Sequence, residues 1–143
     1  MKIIILLLLI GLSLTYDRSA AIKYARTLCS SYHYPEYEQT SASFVCQCMI
    51  AGGMNFNSCS IGWRDEHGGF PRATDLKSCL QQKGWKHSSS RPASFKAGYP
   101  IFSTQYEHAM LATGISGGSV IFCGHTNDRC DYTISSNIEY FYE

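Results

Sequence analysis

Apolar residues follow helical spacing in the first half of the chain and strand spacing in the second. Ala20, Ala21, Tyr24 and Leu28 recur at three- and four-residue intervals, which predicts a helix over about Arg18–Ser30. Pro35 ends that pattern, because it disfavours helical backbone at Tyr34. A second helix is expected in "SASFVCQCMIAGG" from residue 41. Thr40 or Ser41 can cap it, Phe44, Val45, Cys48 and Met49 form its inward face, and Gly52-Gly53 marks its end. "MNFNSCSIGWRDEHGGFPRATD" is rich in glycine and turn formers and reads as irregular. A third, shorter helix has Thr74 or Asp75 as cap, turns Leu76, Cys79 and Leu80 inward and stops at Gly84. "KHSSSRPASFKAG" then reads as a loop.

From Tyr99 onward four strands are expected, in "YPIFS", "EHAMLATG", "GSVIFCGHT" and "NIEYFYE". The second and third are apolar on both faces, as in a covered, central part of a sheet. Helices first and antiparallel strands afterwards predict an α+β domain, with the N-terminal helices packed on a C-terminal sheet. "GISGGS" between the second and third strands is a hairpin signal, since glycine supplies the positive φ of a tight turn. With Ser116-Gly117 in the turn, His108 falls opposite His125. With Gly117-Gly118 there, His125 falls opposite Met110 and the two histidines lie on a diagonal of one face.

The first 15 residues change the picture of where the protein works. One lysine precedes an apolar run over Ile3–Leu14, too short for the roughly 20 residues of a membrane span and followed by Asp17 and Arg18. This predicts a secretory signal peptide over residues 1–15 and one exported domain over 16–143. Loss of Lys2 would reduce 12 basic residues to 11, against 11 acidic ones. A near-neutral mature chain argues against nucleic acid and, after cleavage, against a membrane as partner. All seven cysteines lie in the exported part, where disulfides persist. An odd count leaves at least one thiol free or bonded to a second chain, so a disulfide-linked dimer is one expectation. There is no CxxC or HExxH, and neither a metal nor a cofactor is expected.

Two imidazoles on one sheet face beside a helix N-terminus bring together a base, an orienting group and a nucleophile position. The helix end adds N–H groups and partial positive charge, which stabilise a thiolate or an oxyanion. The competing reading is a helix packed on a sheet whose histidines merely hydrogen-bond.

Segments from three regions of the chain bear on that choice. "SASFVCQCMIAGG" is similar to D-C-T-N-F-V-S-Q-C-L-x-A-G-G of a small amidase-domain family in the papain-like group that includes the NlpC and CHAP cell-wall hydrolases. "YEHAMLATG" and "GHTNDR" resemble that family's H-x-x-I-V-T-G and H-T-x-D-R, and "YDRSAAIKYA" resembles its first helix, Y-x-R-x-A-A-x-x-Y-A. The resemblance implies a papain-like fold, amide bonds in peptides or cell walls as targets, and three site positions. The nucleophile falls on Ser41, the catalytic histidine on His108 and the imidazole-orienting residue on His125. At the first position the chain departs from the family: Thr40, Ser41 and Ser43 stand where it has aspartate, cysteine and asparagine. Cys46 lies about 140° around the helix from position 41 and cannot take over the role.

A serine, unlike a cysteine, has no accessible anionic form and must lose its proton during attack to a base at hydrogen-bonding distance. Two functional expectations follow. In one, the protein is catalytically impaired and binds a peptide or cell-wall fragment. In the other, it is an active secreted amidase or peptidase using Ser41 with His108. A disulfide-bearing scaffold without a pocket is the third. Tyr37 and Gln39 could donate to an oxyanion or lie in an exposed loop. "DEHGG" reads as a solvated turn, and Trp63, Phe70 and Trp85 as core or groove wall. Cys123 and Cys130 bracket "GHTNDR" and could be bridged across it.

Overall fold

Helical and extended halves persist in three dimensions, and the sheet is larger than the sequence pattern indicates. A computed structural model describes residues 15–29, 40–125 and 129–143. They form helices α1 (Arg18–Cys29), α2 (Ser41–Ala51) and α3 (Ala73–Gln82), then strands β1 (Lys86–Ser88), β2 (Pro100–Ser103), β3 (Ala109–Ser116), β4 (Ser119–Gly124), β5 (Arg129–Ile134) and β6 (Ile138–Tyr142). The six strands make one sheet in the order β1-β6-β2-β3-β4-β5, and every pairing is antiparallel. The fold is therefore α+β. None of the described helices is long and apolar enough to cross a membrane.

Both strands missing from the sequence reading are edges. β1 lies inside the segment expected to be a loop and pairs Lys86 with Tyr142 and Ser88 with Tyr140. β5 pairs along β4, from Val120 with Ile134 to Gly124 with Arg129. No residue of β1 or β5 is fully buried, so neither shows the alternation by which a half-buried strand is recognised. Short, polar edges also resist pairing with other chains.

α1 buries Ala21, Ala25 and Cys29, a stripe at four-residue spacing rotated slightly from the expected Ala20–Ala21–Tyr24–Leu28 face, whose Tyr24 and Leu28 are only partly buried. Ala20 instead donates its N–H to Asp17 at the helix start. α2 is buried all round, from Ser41 through Met49, because the sheet lies on one side and α1 and α3 on others. Its single inward face was too narrow an expectation. Of its two candidate caps, Thr40 is the one used. Its Oγ1 accepts from Ser43 N–H at 3.0 Å, while Ser43 Oγ accepts from Thr40 N–H at 3.2 Å, a capping box closed by serine instead of glutamate. α3 begins earlier than expected: the cap position is Arg72, with no side-chain cap bond, so neither Thr74 nor Asp75 caps it. Leu76, Cys79 and Leu80 point inward as the periodicity requires.

Side chains alternate across the sheet, giving it two different faces. The helix-bearing face holds Phe102, against Lys77 of α3, and Cys123, against Cys29 of α1. The other face carries Ile101, Met110, Phe122 and Tyr140, with Phe95 from the β1–β2 connection packed edge-on against Tyr140. One continuous buried cluster joins helices and sheet. Phe70 and Trp85 belong to it, whereas Trp63 is 70% exposed and forms neither core nor groove wall.

Two disulfides tie the layers. Cys59–Cys79 anchors the irregular middle to α3, and Cys29–Cys130 anchors the end of α1 to β5, with Cα separations of 5.5 and 5.4 Å. Cys46, Cys48 and Cys123 remain as buried thiols.

Candidate functional site

The β3–β4 hairpin decides where the histidines go. Ser116 pairs with Ser119, so Gly117-Gly118 is the turn, and Gly117 takes the positive φ of 57° that such a turn demands. The register then shifts between Ala112 and Gly114, after which Ala112 faces Phe122 and Leu111 faces Cys123. This bulge defeats both expected counts: carried on past Leu111 and Cys123, the pairing aligns Ala109, not His108 or Met110, with His125. β3 starts at Ala109 and β4 ends at Gly124, so each histidine lies one residue outside its strand.

Both histidines nevertheless line one cleft. His108 and His125 both line an open cavity of about 340 Å³ at one end of the sheet, on the face away from the helices. Met110, Phe122 and Ile134 give it an apolar floor, and Tyr106, Asn137 and Arg129 lie around it. Tyr106 is 75% exposed, and Arg129 lies over the Tyr132 ring at 4.5 Å from its centroid. A few polar groups around an apolar floor suit an amphipathic ligand.

His108 is half-buried, and lost hydration of its charged form lowers its pKa below the ordinary histidine value. At neutral pH it is a neutral imidazole, able to accept a proton or a hydrogen bond. The His125 ring sits 6.4 Å from that of Phe44 on α2, which connects the cleft to the helix that carries position 41.

Ser41 occupies a different setting. It is the first residue of α2 and only 7% exposed, and its Oγ accepts the Ala109 N–H at 3.1 Å. Helix start and strand start are thereby joined directly, at Ala109, the residue that follows His108 in the chain. Among the described residues Ser41 does not line the His108–His125 cleft. Of the three predicted site residues, His108 and His125 line the open cleft, the His125 ring also approaching Phe44 of α2, and the Ser41 hydroxyl lies in the helix–sheet seam. Tyr37 and Gln39 lie outside the described residues.

Cys46 is completely buried. Its sulfur accepts from Phe70 N–H at 3.2 Å, and burial is the main cause that pushes its pKa up to about 12. It is a core thiol, in keeping with its angular distance from position 41. "DEHGG" is a turn: Asp65 Oδ1 accepts from the N–H groups of His67 and Gly69 at 2.8 and 3.1 Å. Cys123 and Cys130 are not bridged to each other, because Cys130 pairs with Cys29. Sequence reasoning missed Tyr106, Arg129 and Asn137 as cleft residues. Their neighbourhood depends on the turn after β2 and on the unrecognised strand β5, which no local pattern signals.

Comparison with protein-family models, with curated proteins and with solved structures finds no match to this chain.

Proposed function

We propose that this chain is an exported amidase-like domain that binds a peptide or cell-wall fragment in the His108–His125 cleft without cleaving it. The reading joins the papain-like lineage suggested by the three sequence motifs to one structural observation. The Ser41 hydroxyl is buried and holds the Ala109 N–H, while His108 and His125 line an open cleft that Ser41 does not line. A hydroxyl oxygen that accepts a main-chain hydrogen bond is a weaker nucleophile. A reacting carbonyl must also come within about 3–3.5 Å of it. Binding needs neither condition. The two disulfides fit an extracellular protein, where peptides and cell-wall fragments are met.

A second reading, an active amidase using Ser41 with His108 as base, draws on the Ser41–Ala109 bond itself, which sets the hydroxyl beside the start of the His108 strand. A fluorophosphonate probe separates the two. Non-cleaving binding predicts that the mature protein stays unlabelled at Ser41 while retaining micromolar affinity for short peptides or muropeptides by calorimetry. Labelling that disappears in Ser41→Ala would establish the hydrolase instead.

A further inference from the structure

The unpaired Cys123 does not sit alone. Its sulfur lies 3.4 Å from Cys29 Sγ, inside the van der Waals separation of two sulfurs, while Cys29 is bonded to Cys130. All three sulfurs fall within 4.8 Å of one another. In fully reduced form they would also be spaced as metal ligands, but with two of them joined the arrangement is that of a thiol beside a disulfide. We propose that Cys123 is a built-in exchange thiol that takes Cys29 from Cys130, moving the covalent tether of α1 from β5 to β4.

The step balances without an external oxidant or reductant. Cys123 gives up its proton, and its thiolate attacks Cys29 Sγ. The Cys29–Cys123 bond forms as Cys29–Cys130 breaks, and Cys130 leaves as a thiolate that takes a proton from water. The groups around Cys123 come from every element packed on it: Cys29 and Arg26 from α1, Thr113 from β3, and Cys130 and Asp131 from β5. Asp131 Oδ1 stands 4.0 Å from the Cys123 sulfur, accepts from Thr113 Oγ1 at 2.6 Å and pairs with Arg26 Nε at 3.3 Å. Its carboxylate is 44% exposed and offers a route for the proton to solvent.

Burial is the leading cause that raises the Cys123 pKa. The Asp131 charge adds to it, and Arg26 together with hydrogen bonds from Asp131 and Thr113 opposes it. Few molecules therefore carry the thiolate at neutral pH, and the tether rests on Cys130 until the thiol ionises. The exchange would release a half-buried thiol at Cys130, next to Arg129, which lines the cleft. Control of the cleft by this step rests on the binding function proposed above. The chemistry itself does not.

The test is alkylation mapping of the folded, non-reduced protein by iodoacetamide and peptide mass spectrometry at pH 7 and pH 9. Labelling of Cys130 together with a Cys29–Cys123 crosslink is expected, rising roughly tenfold per pH unit below the thiol's pKa. It should vanish in both Cys123→Ser and Cys123→Ala, each checked for native circular dichroism. Absence of Cys130 labelling in the wild type at pH 9 would overturn the proposal. So would equal labelling in the Cys123 variants, which marks opening without exchange, or labelling of Cys29 in place of Cys130, which marks attack on the other sulfur. No ligand enters this measurement, so its failure is distinct from a failure of the binding function.

Discussion

The two faces of the sheet treat their polar groups in opposite ways. On the helix side, Ser41 is buried with its oxygen committed to Ala109, Cys123 is sealed beneath α1, and the Thr40–Ser43 capping box holds the start of α2. On the other side, His108 is half-buried, Tyr106 is exposed, and the cleft floor of Met110, Phe122 and Ile134 is overlaid by an opening and not by a helix. Ser41 and His108 are thus divided between a packed helix–sheet seam and an open cleft. The helix side should dominate folding free energy, and the cleft side should respond to ligand and pH.

The largest test of that division removes the covalent tie on the helix side. The disulfide Cys29–Cys130 spans a sequence separation of 101 residues. By chain-entropy reasoning, losing such a crosslink costs about 4 kcal/mol, equivalent to a fall in Tm of roughly 15 °C. The double variant Cys29→Ser, Cys130→Ser is the right one, because either single variant leaves Cys123 free to re-pair. Calorimetry showing a loss under about 1 kcal/mol would break the comparison.

A smaller effect is expected at the cap. Thr40→Ala removes the acceptor for Ser43 N–H and should cost about 1 kcal/mol in chemical denaturation. Because the cap orients the start of α2, the variant should also loosen Ser41, seen as faster hydrogen exchange at Ala109 N–H. Unchanged exchange there would separate the cap from the Ser41–Ala109 seam.

The least effect on stability, and the sharpest in pH, belongs to the cleft. His108 has a folded-state pKa below its ordinary 6.5, so as pH falls the unfolded chain takes up this proton before the folded protein does. The stability associated with the neutral ring is fully present above pH 6.5 and is lost as pH falls from there toward the folded pKa. His108→Gln should therefore flatten the decline of Tm below pH 6.5 while leaving Tm at pH 8 nearly unchanged. An identical acid limb in the variant would show that His108 titrates as it does in the unfolded chain.

How much of this was legible along the chain depends on what each residue's position needed. α2 could be read from "SASFVCQCMIAGG" because its apolar spacing, its cap and Gly52 are local signals. Local glycine signals narrow the hairpin turn to two alternatives. The position of His125 relative to His108 was not legible, because one unpaired residue between Ala112 and Gly114 shifts the register and leaves no mark in hydrophobic alternation. Likewise β1 and β5 are edges with no buried row, and only their partners β6 and β4 define them.

By itself the sequence determined the helical and extended halves, the turn-forming glycines, the odd cysteine count and the chemical types gathered at Ser41, His108 and His125, since all of these follow from residue identity and short-range spacing. Tertiary structure alone decided which cysteines pair, which side of the sheet each polar group meets, and that Ser41 sits in a seam while His108 and His125 line a cleft. Those outcomes depend on packing between segments up to a hundred residues apart, where one bulged residue or one edge strand redirects a side chain without changing any local pattern.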